Sequence, residues 1–396
     1  MGFSRDEEPV TRSGGEDAFR FEVSVVLPCL NEEATIGVCL DEIQAVFRER
    51  KIRGEMIVVD NGSTDRSVAI VEARGPDVRL FFEPRRGYGS ALRRGIQEAR
   101  GRFVIMGDAD DTYDFLEIPA FIDRLREGCD LVIGSRFRGT ILPGAMSWSH
   151  RHIGNPLLSG LLRVLFGGTV SDAHCGLRGF RREAYDLMGL STSGMEFASE
   201  MVIHALKKRL RIAEVPVTYK PRKGVSKLSG LRDAWRHIRF MLIYSPAHLF
   251  IIPGLVIFLA SLALTIRLGF GPILLFGRSW DIHVMVLTTI STFLGWEIIN
   301  LGLAAKVFAR RISLEESRFT KGILSAVTLE RGILFGLALI LIGLAVFAYV
   351  FWIWARSDFG GLTQVKPLLL SLTFIVMGVQ TIFTSFFASL LQIEYR

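Results

Sequence analysis

Short apolar runs alternate with amphipathic stretches along the N-terminal part of the chain. Runs of strand length, rich in β-branched residues, occur at residues 22–27, 55–59, 78–82, 103–106 and 131–133. The stretches between them carry apolar side chains at helical spacing, at residues 32–50, 65–74, 90–100 and 116–127. Strands that alternate with helices form mainly parallel sheets with helices on both faces. The pattern therefore predicts an α/β domain whose ligands bind beyond the carboxyl ends of its strands.

Much longer apolar stretches follow from Ala247 onward. Four of them approach or exceed the ~18 residues that suggest a transmembrane helix, and they lie at residues 249–266, 283–308, 333–354 and 368–391. The second contains Glu297 and Asn300, but its length still favours a span. Since no comparable run precedes Ala247, we expect an all-α transmembrane domain of four helices at residues 247–396.

Polar and amphipathic segments flank the α/β domain. Residues 1–20 are polar and charged and have no apolar core of a secretory signal, which predicts disorder. Before the first span, apolar residues recur at 3-4 spacing beside arginines, which predicts a basic amphipathic helix in the membrane interface over residues 227–246. A similar stripe at residues 153–165 suits an interfacial helix and a core-facing helix equally well.

The basic charge of the chain is concentrated near the predicted membrane. The formal net charge is +7, and Lys and Arg cluster before the first span and between the second and third. The positive-inside rule therefore predicts that the α/β domain, the connection between the second and third spans and the C-terminus are cytoplasmic. This distribution favours anionic membrane lipids over nucleic acid as partners. The four cysteines are scattered, which predicts reduced thiols and gives little support to a metal cluster.

Candidate chemistry lies where the predicted strands end. Asp108 and Asp110 follow an apolar run at i, i+2 spacing, so both project to the same side of the strand end. A divalent cation that carries a diphosphate would relieve their repulsion. A lone Asp-x-Asp also occurs in ordinary polar turns. Two more polar clusters, at residues 31–33 and 60–65, follow the first two strands, and together the three predict a cation or ligand at this edge.

The motifs at these strand ends closely resemble those of family 2 glycosyltransferases, within them the dolichol-phosphate mannosyltransferase and polyprenyl-phosphate glycosyltransferase branch. The matching segments are residues 25–33, 58–65, 86–91, 107–110, 134–137, 172–178 and 222–227. The resemblance spans residues 21–245. It implies that residues 21–226 form a Rossmann-like GT-A domain, a nucleotide-sugar-binding fold with a mainly parallel sheet.

The resemblance also implies site residues. Those expected to bind the nucleotide are Pro28, Asn31, Glu32, Asp60, Arg86, Gly87 and Lys227. Asp108 and Asp110 are expected to hold Mg²⁺ or Mn²⁺, and the remaining metal ligand is open between Thr112, Asp111 and Asp114. Catalytic roles fall to Asp108, Asp110 and Arg178.

The acceptor that the resemblance implies is a polyprenyl phosphate, either undecaprenyl or dolichyl. Arg136, Arg178 and Ser226 are expected to contact its phosphate, and Ser226 and Lys227 follow a glycine-containing loop that suits a lid. Glu196 and Glu200 are equally suited to binding sugar hydroxyls and to bracing the arginines. A phosphate is mostly dianionic at neutral pH, so it needs no dedicated general base.

The activity that the resemblance implies is inverting, metal-dependent transfer of a hexose from a nucleotide sugar to this lipid. The donor is of the GDP-mannose or UDP-glucose type, and UDP-N-acetylglucosamine also stays open. The sequence allows a homo-oligomer and does not set its size.

Two alternatives compete with this interpretation. A processive polysaccharide synthase resembles the chain in its α/β motifs, but the Gln-x-x-Arg-Trp motif of such enzymes is not matched by Asp233-Ala234-Trp235-Arg236-His237. Four spans also leave little room for a channel. A catalytically silent nucleotide-sugar sensor or membrane scaffold is disfavoured by the intact pair Asp108 and Asp110.

Overall fold

The computed structural model describes residues 19–223, 230–311, 328–361 and 364–392. It divides into two compact units, with the division between His237 and Ile238. Most of the predicted N-terminal disordered segment lies outside the described residues. Ser226 and Lys227, predicted to bind phosphate and nucleotide, also lie outside them.

The first unit is built on a seven-stranded sheet. Its strands, in chain order, are β1 Phe21–Cys29, β2 Gly54–Asp60, β3 Val78–Phe82, β4 Gly101–Met106, β5 Leu131–Ser135, β6 Arg178–Arg181 and β7 Ile212–Pro216. Their spatial order is β3-β2-β1-β4-β6-β5-β7. Every pairing is parallel except the two made by β6, which runs antiparallel between β4 and β5. The predicted mainly parallel sheet is confirmed.

Helices connect and cover these strands. They are α1 Ile36–Glu49, α2 Ser67–Glu72, α3 Tyr88–Glu98, α4 Ile118–Arg126, α5 Asn155–Phe166, α6 Arg182–Met188 and α7 Phe197–Lys207. In α1 the buried positions follow the 3-4 spacing of its apolar residues, from Ile36 to Val46. Burial of one apolar stripe against the sheet is what stabilises such a helix. The predicted stripe at residues 153–165 overlaps α5, where Leu158 and Leu162 are buried while Leu157 and Val164 are exposed.

The predicted amphipathic segment overlaps α8, Gly230–Ile243. On this helix Trp235 has 59% of its surface exposed. Exposure of a large aromatic side chain suits contact with lipid. The interfacial location of α8 stays a prediction.

In its described residues, the second unit contains four helices long and apolar enough to cross a membrane. These are α9 Ile252–Gly269, α10 Ile282–Arg311, α11 Leu329–Arg356 and α12 Val365–Leu390, and they confirm the four predicted spans. A short hairpin of β8 Ile273–Leu275 and β9 Arg278–Trp280 joins α9 to α10.

Small and polar side chains hold these four helices together. A Cβ at Gly295 of α10 would lie 2.6 Å from the Phe258 nitrogen of α9, so the absence of a side chain permits this approach. Thr265 Oγ1 donates to Thr288 Oγ1 at 2.8 Å across the same pair. Close backbone contact and hydroxyl hydrogen bonds are the usual means of helix association in lipid.

Candidate active site

A cavity of about 350 Å³ lies at the carboxyl ends of the central strands of the first unit. The register of the sheet explains its position, because Cys29 at the end of β1 pairs with Asp60 at the end of β2, and Val26 pairs with Met106 at the end of β4. The loops that follow these three strands therefore converge. The residues that line the cavity are Pro28, Cys29, Leu30, Glu32, Asn61, Arg86, Gly87, Tyr88, Ala91, Asp108, Ala109, Asp110, Met195, Tyr219, Arg222 and Arg236.

The predicted aspartate pair lies in this cavity. Asp108 Oδ1 accepts a hydrogen bond of 2.8 Å from the Tyr88 hydroxyl. Asp110 Oδ1 accepts from the Thr112 backbone nitrogen at 3.1 Å and from its hydroxyl at 2.6 Å. Burial and the like charge of Asp110 raise the pKa of Asp108 to about 7. The two carboxylates thus line the same cavity and repel each other. Such a pair is suited to share a bound cation.

A basic segment, residues 220–223, crosses this acidic edge. Arg222 places Nη2 2.8 Å from Glu32 Oε1 and Nη1 3.4 Å from Asp110 Oδ2, so it links the β1 loop to the β4 loop. Lys223 Nζ lies 2.6 Å from Asp111 Oδ2. Lys220 Nζ lies 3.4 Å from Asp111 Oδ1 and 3.8 Å from Asp114 Oδ1. Part of the negative charge that the strand ends bring together is therefore balanced by this segment.

The residues present fit a Mg²⁺ or Mn²⁺ site in which the protein supplies two carboxylates. Asp111 and Asp114 are paired with lysines, and Thr112 supports Asp110, so the three candidates for a further ligand all have other partners. Within the described ranges no three His, Cys, Asp or Glu side chains are grouped to hold a metal ion. Mg²⁺ commonly keeps several waters and takes one or two carboxylates plus substrate phosphates, which matches this donor set.

Four of the predicted nucleotide-binding residues line the cavity, namely Pro28, Glu32, Arg86 and Gly87. Two others do not. Asn31 Oδ1 accepts from the Thr64 nitrogen at 2.7 Å, and the Asp60 carboxylate accepts from the backbone of the turn that follows β2. These two side chains hold the first two strand-end loops in shape.

Asn61 supports the next loop and also lines the cavity. Its Oδ1 accepts from the Gly87 nitrogen at 2.8 Å, while its Nδ2 donates to the Glu83 and Arg85 carbonyls. Gly87 has φ of 143°, and a Cβ there would lie 2.2 Å from the Ser193 carbonyl oxygen. Only glycine fits at this point, because both the backbone conformation and the space exclude a side chain.

Glu196 and Glu200 have different surroundings. Glu200 is fully buried and accepts hydrogen bonds from the backbone nitrogens and hydroxyls of Ser191 and Thr192. Glu200 therefore fixes the loop against which Gly87 packs. This role is neither the binding of sugar hydroxyls nor the bracing of the arginines. Glu196 has a buried Oε2 with no hydrogen-bond partner among the residues that the structure describes.

Arg136 and Arg178 are both buried and already bonded. Arg178 has no exposed surface, and it donates from Nε, Nη1 and Nη2 to the carbonyls of Cys175, Ala198 and Ala173 at 2.8, 2.6 and 2.7 Å. Arg136 makes a two-pronged ion pair with Asp172, at 2.7 and 2.8 Å. Neither lines the cavity, so their predicted contact with the acceptor phosphate stays a prediction.

Other residues reach the cavity without having been predicted as ligands, namely Tyr88, Met195, Tyr219, Arg222 and Arg236. Tyr88 and Arg222 lie in two of the matching motifs, at residues 86–91 and 222–227, so their motif positions could have identified them as site residues. Arg236 lies on the amphipathic helix α8, where an arginine is indistinguishable by pattern from a lipid-facing one.

A buried polar cluster links α8 to α7. Ser199 Oγ lies 2.9 Å from His237 Nδ1 and 3.2 Å from His174 Nε2. The two imidazole rings meet edge to face with centroids 4.7 Å apart. Because His237 directly follows Arg236, this cluster fixes the part of α8 that supplies an arginine to the cavity.

Comparison with known proteins identifies the family. The Glycosyl transferase family 2 model matches residues 24–188, and the Glycosyltransferase family 2 C-terminal transmembrane region matches residues 303–392. The chain is 38% identical over 366 residues to the low-salt glycan biosynthesis hexosyltransferase Agl6 of Haloferax volcanii, covering 92% of this chain and 87% of that protein.

Two further comparisons cover the α/β unit. The dolichyl-phosphate hexose transferase of Haloferax volcanii is 32% identical over 209 residues, which are 52% of this chain and 86% of that protein. The glucosyl-3-phosphoglycerate synthase of Mycobacterium tuberculosis, solved with Mn²⁺, UDP-glucose and phosphoglyceric acid, is 27% identical with a TM-score of 0.46, covering 56% of this chain and 79% of that one.

The long match to a hexosyltransferase, together with the matches to the catalytic and transmembrane family models, decides the assignment. The chain is a membrane-integrated glycosyltransferase, and it belongs to glycosyltransferase family 2.

Proposed function

We propose that this enzyme transfers a hexose from a nucleotide diphosphate sugar to a polyprenyl phosphate at the cytoplasmic membrane face. One observation carries the proposal. The strand-end cavity combines the carboxylates Asp108 and Asp110 with the arginines Arg86, Arg222 and Arg236, on a chain that also has four candidate spans. Carboxylates suit a cation-bound diphosphate, and several arginines suit a second phosphate.

The donor binds along the β1 and β2 ends of the cavity. Pro28, Glu32 and Asn61 line this part and offer an apolar surface, a carboxylate and an amide to a base and ribose. We assign Arg86 and the backbone of Gly87 to the diphosphate, since a guanidinium binds phosphate and glycine permits close contact. This arrangement is compatible with a GDP-mannose or UDP-glucose type of donor.

A Mg²⁺ or Mn²⁺ ion held by Asp108 and Asp110 would neutralise the diphosphate as it departs. The Tyr88 hydroxyl orients Asp108, and Thr112 orients Asp110. Arg222 already pairs with Asp110 and Glu32, so it is placed to add positive charge beside the leaving group. Preorganised charge of this kind is usually the largest catalytic contribution.

The acceptor phosphate attacks the anomeric carbon directly. As a dianion near neutral pH it needs no base, so the enzyme has to hold two anions together in the correct orientation. Arg236 and Arg222 line the cavity and are the arginines that we assign to this task. Arg136 and Arg178 act behind them, by fixing the backbone around residues 172–178. A single displacement inverts the anomeric configuration.

The relatives support the lipid acceptor. One is named a dolichyl-phosphate hexose transferase, and another a hexosyltransferase of glycan biosynthesis. Four spans on the chain provide the anchorage that an enzyme with an insoluble acceptor needs. Whether the lipid is undecaprenyl or dolichyl phosphate is part of the test.

The proposal is tested with purified full-length enzyme, labelled nucleotide sugars and either polyprenyl phosphate. We expect label in the organic phase from one donor, only with Mg²⁺ or Mn²⁺ present, and none after addition of a chelator. Label in a polymer that stays out of the organic phase would instead support a polysaccharide synthase. Donor binding without turnover across the whole panel would support a silent scaffold.

A further inference from the structure

The membrane unit contains a cavity of its own, of about 290 Å³, between α10, α11 and α12. Its walls are mainly apolar and include Trp296 and Phe335, whereas Arg331 and Asn300 contribute polar groups. Asn300 also lines a second cavity of about 220 Å³. A cavity with an apolar wall and a few placed polar groups has the character of a ligand site.

The Asn300 amide lacks a partner in this cavity. Its residue is 5% exposed, and Nδ2 makes no hydrogen bond to any residue that the structure describes. The nearby hydroxyls of Thr381 and Ser385 donate to carbonyls one turn earlier on their own helix, at 2.6 and 2.8 Å. An unpaired donor is costly in a hydrocarbon environment. A ligand with an acceptor oxygen would relieve this cost.

Arg331 supplies the charge at one end of the cavity. It lies in the first turn of α11, which begins at Leu329, and no ion pair joins it to another described residue. The helix dipole also favours an anion at such an end. Thr328 Oγ1 already accepts from the Arg331 nitrogen, and Glu330 is the acidic side chain of the same turn. Glu297, by contrast, lines the second cavity and not the first, so its carboxylate disfavours an anion in the second cavity.

The position of Asn300 along α10 distinguishes two kinds of lipid that could occupy the cavity. Asn300 lies eleven residues before the end of α10 at Arg311, about 16 Å along the helix at ~1.5 Å per residue. The same end of α10 and the start of α11 flank the basic connection that we expect in the cytoplasm. A polyprenyl phosphate carries only hydrocarbon below its phosphate. A glycerophospholipid also carries glycerol-linked oxygens there, which can accept from the Asn300 amide.

We propose that this cavity binds an anionic glycerophospholipid of the cytoplasmic leaflet. Its phosphate lies at Arg331, a glycerol-linked oxygen accepts from Asn300 Nδ2, and one chain packs against Trp296 and Phe335. Lipid binding of this kind requires no sugar donor, so the site stands or falls independently of the transferase reaction.

The test measures lipid retention by the full-length protein. The protein is reconstituted in nanodiscs of phosphatidylglycerol and phosphatidylcholine, re-extracted into detergent and examined by native mass spectrometry. We expect retained phosphatidylglycerol on the wild type and about fivefold less on Arg331→Gln, as one basic contact near the membrane surface suggests. Asn300→Leu should also retain less. Arg356→Gln, at the other end of the same helix, is the matched control and should retain the wild-type amount.

Several outcomes would overturn the proposal. Equal retention by Arg331→Gln and Arg356→Gln would remove Arg331 from the site, and equal retention of both lipids would remove the charge preference. Displacement of phosphatidylglycerol by an equimolar amount of polyprenyl phosphate would assign the cavity to the acceptor, and displacement by inorganic phosphate would exclude a lipid site. If Arg331→Gln fails to elute as a monodisperse species, Leu303→Trp, which fills the cavity, must lose the lipid instead.

Discussion

Asp110 gives the most direct test of the cation site, because asparagine has the shape of aspartate without its charge. In Asp110→Asn the side-chain oxygen can still accept from Thr112, so the loop should keep its structure. Loss of one of two cation-binding carboxylates should lower kcat by about 100-fold or more, since a metal ion contributes several kcal/mol. Transfer of labelled sugar to the lipid measures the effect. Asp123→Asn, an exposed carboxylate on α4, is the control. Full turnover by a folded Asp110→Asn enzyme in Mg²⁺ or Mn²⁺ would refute the assignment.

A substitution of Arg178 tests whether this residue supports the fold or binds the acceptor phosphate directly. Lysine lacks the planar fork that reaches three carbonyls at once, so Arg178→Lys should leave at least one buried carbonyl unpaired and destabilise the enzyme by about 1–3 kcal/mol. Thermal unfolding would detect this. The comparison change Arg236→Lys, at a residue that lines the cavity, should lower the use of acceptor lipid more than it lowers stability. If Arg178→Lys instead kept full stability while its KM for lipid phosphate rose, Arg178 would be a direct phosphate ligand.

The sequence predicted which side chains lie at the site better than it predicted the role of each side chain. Asp108 and Asp110 lie together in the cavity because a strand end and i, i+2 spacing decide their position. The position of Arg178 depends instead on β6, which begins at this residue and pairs with both β4 and β5. Because β6 is far from β4 and β5 in the sequence, their pairing cannot be predicted from the residues around Arg178.

At the level of elements, the spacing of apolar residues predicted those helices and strands that have one face or both faces buried. The apolar runs of β1, β2 and β4 are buried almost throughout, so each was recognised. The strand β6 has the sequence Arg-Gly-Phe-Arg, and β7 is only partly buried. Neither has the apolar alternation that identifies a strand.

The link between α8 and α7 leads to a prediction on pH. Burial, with His237, Arg178 and Arg136 nearby, holds the pKa of His174 well below its usual range. The unfolded chain therefore binds a proton below about pH 6.5 that the folded chain does not, and stability falls as pH falls through that value, by about 1.4 kcal/mol per pH unit. Stability above this pH is unaffected by the group.

The measurement is the thermal unfolding temperature between pH 7.5 and 5.5. His174→Gln should remove about 3–6 °C of the decrease that the wild type shows over this interval, if each kcal/mol shifts the Tm of the unit by roughly 2–4 °C. His152→Gln changes an exposed histidine and should leave the decrease as it is. The same pH dependence in wild type and His174→Gln would show that His174 does not control it.

For the whole molecule, the proposed reaction requires that a water-soluble donor and a membrane-bound acceptor meet at one cavity. Nucleotide sugars are cytosolic, so the proposed reaction requires the first unit to lie in the cytoplasm, and the basic flanks of the spans predict that orientation. The native cysteines give little background for a labelling test, because all four are buried. Burial also raises the pKa of Cys29 to about 11 and those of Cys39 and Cys175 to about 12, and a protonated thiol reacts slowly.

Single cysteines can therefore be added to the wild-type chain and exposed to an impermeant thiol reagent in intact cells. Ser279→Cys, in the exposed hairpin between the first two spans, and Ser357→Cys, after the third, should be labelled. Ser149→Cys, exposed on the first unit, and Ser317→Cys, between the second and third spans in sequence, should be labelled only after the cells are opened. The unmodified chain gives the background. Labelling of Ser149→Cys from outside would place the cavity on the side of the membrane that nucleotide sugars do not reach, and the proposed reaction would then be impossible in that orientation.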